Sequence, residues 1–445
     1  GIDFLHSMKI KNLDLSIGGN IFVDDGYRMG ETTDRKRFNL NSLSKNQKIK
    51  GLSYGLNTNV LLQSSGSAII WEGLDYAFIP LDSAITKTIG EIFNIDPFII
   101  YVNGNNKHVL RTRYLMVNND NSTAGNDVGQ DNKSSTYYSD YQWQKNFKNK
   151  NLRFTIGTTN EITNVASDLF SGKSNRFNNS LYIQFDKNIG KFNISVGARY
   201  ENFRLKSNKN YLVQQDSVNS FSSGRPIFRT GLNYQLAKAT YLRSSWGQGY
   251  RFPAMSELFV STEIAKGIWV YPNASLKPED GWSSELGIKQ GIKIGKWLGY
   301  LDFAVFLMQY DDMMEFTFGR WGEDLGETNF YGLGFKSVNV GKTQISGTEI
   351  SISGQGNINN NLSLSILAGY TYMNSVCLNP NEPYITTESG GDITYNISSS
   401  DPSVLKYRYQ HIAKIDADLT YKKVSFASSF RYNDFMKNID WIFAS

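Results

Sequence analysis

The chain has 445 residues, of which 20% are charged and 40% hydrophobic, with a net charge of +5 and one cysteine, Cys377. The charge is small for this length and forms no basic stripe, which excludes nucleic acid as a partner. A lone cysteine excludes an internal disulfide framework and a cysteine-based zinc site. No apolar run approaches the ~18 residues of a membrane helix. Aromatics nevertheless reach 14% while mean hydropathy is −0.39. These values suit a sheet in which only alternate residues meet an apolar phase.

No linker or composition break divides the chain, so one large architecture is expected. Residues 2–10 and 12–23 read as a hairpin. Asp24 to Asp34 is a polar loop, and Arg35 to Leu43 returns as a strand. GLSYGLNTNVLLQ and SAIIWEGL form one long strand kinked at Ser64 to Gly66. A loop to about Asn94 leads into FIIYV–NGNNK–HVLRTRYLMV, followed by an exposed loop from Asn118 to Ser135. STYYSDYQWQKNF and LRFTIGTT pair across a KNKN turn, and a loop spans Asn160 to Arg176. Farther on, Lys336 to Gly354 reads as one long strand interrupted near Gly341.

Period-two alternation is clearest between Phe177 and Leu236. Phe177, Leu181, Ile183 and Phe185 oppose Asn178, Ser180, Gln184 and Asp186. Phe192, Ile194, Val196, Ala198 and Tyr200 oppose Asn193, Ser195, Gly197, Arg199 and Glu201. Phe228, Leu232, Tyr234 and Leu236 oppose Arg229, Gly231, Asn233 and Gln235. Leu362, Leu364 and Ile366, then Ala413, Ile415 and Ala417, then Val424, Phe426 and Phe430 repeat the pattern. Consecutive side chains of a strand point to opposite faces, so each strand has one greasy and one polar side.

A soluble sandwich would place the polar side in water and pack the apolar side on a second sheet. Three features favour a barrel in lipid. Aromatics collect at strand ends (Tyr200, Tyr234, Tyr241, Trp246, Trp297, Tyr310, Tyr370, Tyr372, Tyr432), as interfacial girdles do. The polar faces carry mid-strand charges such as Arg199, Glu285, Asp302, Glu349, Lys414 and Asp416, which suit a wet lumen. Finally, short connections alternate with long ones: Lys11, Lys45–Lys50, Asn103–Lys107, Lys148–Asn151, Asn188–Lys191, Leu236–Ala239, Lys293–Lys296, Gln355–Asn360 and Tyr421–Lys423 are short, and every other one is long. The expectation is an all-β, transmembrane antiparallel up-and-down β-barrel with about 18 strands of a total near 22. Gly1 opens directly into a strand pattern and NIDWIFAS ends without a closing strand. Residues 1–445 are therefore expected to be a barrel portion of a longer precursor.

The stretch GYRFPAMSELF at Gly249 to Phe259, followed by YPNASLKPEDGWSSELGIK at Tyr271 to Lys289, resembles the TonB-dependent outer-membrane receptors of Gram-negative bacteria. The residues that carry the resemblance are Tyr250, Arg251, Pro253, Glu257 and Leu258, then Leu276, Pro278 and Glu279. The usual Asn-Pro order is altered here to Pro272-Asn273, while Leu-Lys-Pro-Glu is intact. FLMQYDDMMEF at Phe306 to Phe316 and NVGKTQISGTEISIS at Asn339 to Ser353 are also similar to the family. The plug domain, the TonB-contacting segment and the terminal aromatic strand of that family have no counterpart in these residues. The resemblance implies a receptor that binds a scarce ligand at its outer loops, an iron chelate, haem, vitamin or oligosaccharide-like molecule, and passes it through the lumen. It implies outer-membrane lipid, the TonB complex (through a plug) and a surface lipoprotein as partners, and no cofactor.

Catalysis finds no support. There is no G-x-S-x-G, H-E-x-x-H, Walker or dinucleotide glycine motif, and Ser42-Leu43-Ser44-Lys45 matches S-x-x-K as a chance event. An interior Ser–His pair would have to use His108 or His411. Asp311-Asp312 with Glu315, and Glu323-Asp324 with Glu327, read as solvated loop charge ahead of calcium ligands. On the long-loop rim Trp269, Tyr271, Trp321, Phe330, Tyr331 and Tyr384 can cover flat or apolar ligand surface, and Arg251 or Arg320 can pair with an anionic chelate. Arg251 has a rival role as the structural partner of Glu257. Competing functions are a passive porin or surface-binding barrel, and a soluble secreted β-rich binding protein.

Overall fold

The computed structural model describes residues 1–444 apart from 69–70, 82–83, 124–125, 128–129, 171, 214–215, 266, 323–329 and 387–390. Its main element is one antiparallel sheet of nineteen strands, including the two-residue Asn126–Asp127; the others run from nine to twenty-two residues. Each long strand pairs with the next in the meander, from Ile2–Ile10 against Leu13–Asp24 to His411–Tyr421 against Val424–Asn433. This is the up-and-down order of a barrel wall. Among the described residues the first and last strands do not pair with each other.

The short connections fall where the sequence puts them. Ile10↔Leu13, Asn103↔Asn106, Ile189↔Phe192, Ile294↔Trp297 and Tyr421↔Val424 each enclose two residues. The first of those two has positive φ in every case, at Lys11, Gly104, Gly190, Gly295 and Lys422. A left-handed residue at that position matches the twist of the flanking strands, and glycine takes it without steric cost.

The apolar side chains of the alternating stretches face outward and stay exposed: Leu181 is 56%, Val196 50% and Phe426 69% accessible. A sandwich would have buried them. The opposite face carries ion pairs that satisfy one another around the hollow. Arg113 pairs with Asp96 at 2.6 Å, Arg199 with Glu201 at 3.1 Å, Lys414 with Asp416 at 2.8 Å, and Arg243 with Glu285 at 2.7 Å and with Asp302. All are partly wetted, so each adds little stability alone. His108 lies among Tyr101, Tyr141 and Trp143, and His411 beside Tyr370 and Tyr372, on the outer face. Neither is placed for an interior Ser–His pair.

Four loop assignments change, the first being the loop to about Asn94, since strand resumes at Ile85. Leu152–Ser167 and Gly172–Ile189 pair along their full length, so the loop expected over Asn160 to Arg176 shrinks to residues 168–171. Phe192–Val213 and Asp216–Ala237 likewise leave only 214–215 between them. Not every second connection is therefore long. The loop expected from Asn118 to Ser135 is also strand at both ends, through Thr123 and from Asn132. The cause is that these strands continue past the bilayer, which needs only about 9–11 residues of each. Above it both faces meet water or loops, so Asn, Ser and Lys replace the alternation that marks a strand in lipid.

The strand Phe192–Val213 records the crossing. Up to Tyr200 its outward residues are greasy; beyond, Asn202, Arg204 and Lys206 are exposed while Phe203 and Leu205 turn inward and are buried. Lys336 to Gly354 is two strands rather than one. Leu333–Asn339 joins a separate four-stranded sheet on the rim, and Thr343–Asn357 belongs to the barrel wall.

Candidate ligand-binding rim

Two apolar clusters cover the long-loop end. In the first, Met255, Leu258, Phe259 and Leu276 of the loop over 252–278 pack with Phe203, Leu205 and Met314, all buried. The loop thus folds inward over the lumen. In the second, Met313, Trp321, Val338, Val340, Cys377, Tyr395 and Leu405 form a core on which Tyr271, Tyr310 and Tyr384 pack.

The residues that carry the family resemblance act together as a clasp at the foot of the first cluster. Arg251 bonds both carboxylate oxygens of Glu257 at 2.9 Å and donates to Glu279 at 3.0 Å. Glu257 also accepts from the Ala254 amide at 2.7 Å, starting the short helix Met255–Phe259, and Glu279 accepts from the Met314 amide at 3.2 Å. Loop entry, loop exit and the neighbouring strand are tied at one guanidinium. Pro253, Leu258 and Leu276 are buried beneath it, Pro278 leads into the strand at Glu279, and Tyr250 receives the Arg225 guanidinium on its ring at 5.8 Å. Arg251 thus makes the pairing with Glu257 that its rival role expects, with both terminal guanidinium nitrogens bonded to carboxylates.

Five of the other seven candidate ligand contacts lie on or beside the rim sheet, with Trp269 and Arg320 on its opposite faces. Thr262–Ala265 pairs with Ile268–Tyr271, which runs parallel to Leu333–Asn339, which in turn pairs with Met314–Arg320. Trp269 lies opposite Gly334 and Tyr271 opposite Lys336; Arg320 lies opposite Leu333. Tyr331, with φ 51°, precedes that strand. Trp321 is buried in the second cluster, its amide bonded to the Gly332 carbonyl at 2.8 Å. Tyr271 is half-buried on the same core, so these two rings anchor the sheet. Tyr331 is exposed, and Arg320 is exposed without an ion pair among the described residues. Tyr384 is drawn into the core, its hydroxyl 2.9 Å from Ser398 Oγ, and burial raises its pKa. The Phe330 side chain lies outside the described residues, as do Glu323, Asp324 and Glu327. Asp311 faces Lys342 at 3.8 Å while Glu315 points into the core, so the other acidic trio does not converge.

Sequence reasoning missed two groups here. Phe316, Phe318, Phe335 and Phe443 stack on the rim sheet with centroid separations of 4.9–6.5 Å; the Phe-Thr-Phe alternation was their only local signal. The second is a buried polar knot. Lys406 Nζ donates to Asp440 at 2.7 Å, to Thr317 at 2.9 Å and to Ser398 at 3.1 Å, with Lys406 and Asp440 each 1% accessible. Asp440 also accepts from the Phe318 amide at 3.0 Å and the Tyr407 hydroxyl at 2.8 Å. Nothing local in the sequence distinguishes this lysine from a loop-surface one.

The sequence matches the family model for the TonB-dependent receptor-like β-barrel over residues 11–440. The chain belongs to the TonB-dependent receptors. Members of this family are transporters, not enzymes. Among solved TonB-dependent receptors, the FrpB iron transporter of Neisseria meningitidis superposes with TM-score 0.69 at 12% identity, covering 97% of this chain and 66% of that one. The Serratia marcescens hemophore receptor HasR, solved with its hemophore HasA and heme, gives 0.69, 12%, 97% and 70%. The ferric-catecholate import receptor Fiu of Escherichia coli K12 gives 0.64, 15%, 99% and 70%. At these identities the likeness concerns the fold. This chain spans about two thirds of the length of each of these receptors. No curated protein matches the sequence.

Proposed function

We propose that this TonB-dependent receptor barrel resides in the outer membrane of a Gram-negative bacterium and imports a scarce small ligand captured on its rim sheet. The observation that supports this reading is the exposed Arg320 at the end of a rim-sheet strand, on the face that carries Phe316, Phe318 and Phe335, with the exposed Tyr331 two residues before its strand partner Leu333. An exposed guanidinium beside aromatic rings suits a flat or apolar molecule bearing negative charge, such as an iron chelate or haem. Ion pairs such as Arg243–Glu285 line a wide hollow that, in a barrel of ~22 strands, must be plugged to avoid leaking. We assign that plug, and with it the coupling to TonB, to residues outside these 445; a surface lipoprotein over the rim is compatible with the same arrangement.

The test is a titration of the full-length receptor in liposomes with ferric catecholate and with haem, read by quenching of tryptophan fluorescence. Arg320→Ala is expected to weaken the bound probe about tenfold or more, the effect of losing one charge-assisted hydrogen bond. Tyr331→Ala is expected to weaken it as well, and Arg229→Ala, on the lumen wall, to leave it unchanged. Equal affinity in wild type and Arg320→Ala for both probes would contradict the rim assignment.

A further inference from the structure

The knot around Lys406 fastens three separate segments. Asn438 is fully buried, its Nδ2 2.6 Å from the Val404 carbonyl and its Oδ1 accepting from the Asp401 amide at 3.0 Å. The Tyr407 amide donates to the Asn438 carbonyl at 2.8 Å and the Ser400 amide to the Ile439 carbonyl at 3.1 Å. Residues 438–440 are thus clamped between the turn over 395–407 and the edge strand Met314–Arg320. That strand leads directly to Arg320 and Trp321.

Glu315 lies beside this knot on the same strand. Its carboxylate accepts from the Tyr395 hydroxyl at 3.3 Å, and that hydroxyl accepts from the Lys406 amide at 2.7 Å. The charged and titratable groups around Glu315 are Lys406 and Tyr407 at the end of the turn with Arg408 just after it, Tyr395 at its start, Tyr384 before it, Asp440 from the terminal segment, Cys377 from the wall, and Lys336 on the same face of the adjacent strand. The one deeply buried cation among them, Lys406, is already held by Asp440.

We propose that residues 438–440 and the Lys406–Asp440 pair form a proton-set latch on the mouth, fastened while Glu315 is neutral and loosened when it ionises. An ionised Glu315 puts a second carboxylate in a site whose ammonium is already paired, and a buried unpaired charge is costly. Burial pushes the Glu315 carboxyl up to about 7, offset in part by Lys406 and Arg408. Once the latch opens and water enters, that carboxyl returns to its ordinary value near 4.5. The closed form therefore holds the proton more tightly. Its advantage is complete below the open-state value and falls as pH rises through the closed-state value. Between pH 6 and 8 the opening equilibrium shifts by about tenfold. The latch makes no demand on the identity of the ligand.

Trypsin cleavage after Lys437, which is exposed next to buried Asn438, reads the opening. The rate is measured on the full chain in liposomes and divided by that of a free peptide spanning residues 433–442 at the same pH. In wild type the normalised rate is expected to rise about tenfold from pH 6 to pH 8. Glu315→Gln keeps the acceptor for Tyr395 and is expected to be slow and flat with pH. Asp440→Asn, which removes the clamp itself, is expected to be fast and flat. A wild-type rate that is constant or higher in acid overturns the proposal, as does a pH step that persists in either variant. Because the wild-type profile is decisive alone, failure of a variant to fold leaves the test intact.

Discussion

Replacing Asp440 with alanine is expected to cost the folded rim about 3–5 kcal/mol, the penalty of leaving a buried charge without its partner. The stranded group is the Lys406 ammonium, 1% accessible and left with the Thr317 and Ser398 hydroxyls as its hydrogen-bond acceptors. The Phe318 amide and the Tyr407 hydroxyl lose their acceptor in the same step. Hydrogen exchange checks this, because the amides of Phe318, Tyr407 and Ser400 sit in or beside the knot. Their protection is expected to collapse in Asp440→Ala while amides of the strand Phe192–Val213 below Tyr200 stay as they were. The double variant Lys406→Met/Asp440→Leu should recover much of the loss, since replacing both charges leaves nothing stranded. Unchanged protection in Asp440→Ala would mean that something else holds the terminal segment.

The second large effect belongs to the barrel wall. Val196→Arg puts a guanidinium on the outward face in mid-strand, where Val196 stands opposite Phe185. Near the bilayer midplane such a substitution costs about 2–4 kcal/mol. Gln184→Arg is one pair away in the same ladder, opposite Gly197, but on the lumen face beside Asp186 and Ser195. It is expected to change stability little. Urea unfolding of the two variants in the same liposomes measures the difference directly. Equal costs would show that the two faces share one environment.

The barrel wall was legible in the sequence because lipid imposes a strict rule on it. Where one face of a strand must be greasy over 9–11 residues or so, alternation is forced, as in Phe177 to Phe185 and Phe192 to Tyr200. The rule lapses above the bilayer. Asn160 to Arg176 therefore read as a loop although it is mostly paired strand, and Leu333–Asn339 merged with Thr343–Asn357 although the two belong to different sheets. At the rim, the Arg251–Glu257 pairing was legible because both residues lie within one short motif. The placement of Trp269 and Arg320 in one sheet was not, since it depends on a parallel pairing between strands more than sixty residues apart. Lys406 and Asp440 were hidden for the same reason. Loop residues carry no periodicity, so a buried lysine looks like a solvated one until the fold brings its carboxylate to it.

The central claim is that the greasy faces touch hydrocarbon and the charged faces line a wet hollow. It is tested most directly by nitroxide labels placed one at a time along 180–185, in a Cys377→Ser background reconstituted in liposomes. Labels at Leu181, Ile183 and Phe185 should collide with dissolved oxygen, which concentrates in lipid. Those at Ser180, Tyr182 and Gln184 should respond to a water-soluble nickel chelate, giving two opposite period-two profiles. A single profile, with every position reached by the nickel chelate or none showing the oxygen preference, would contradict it.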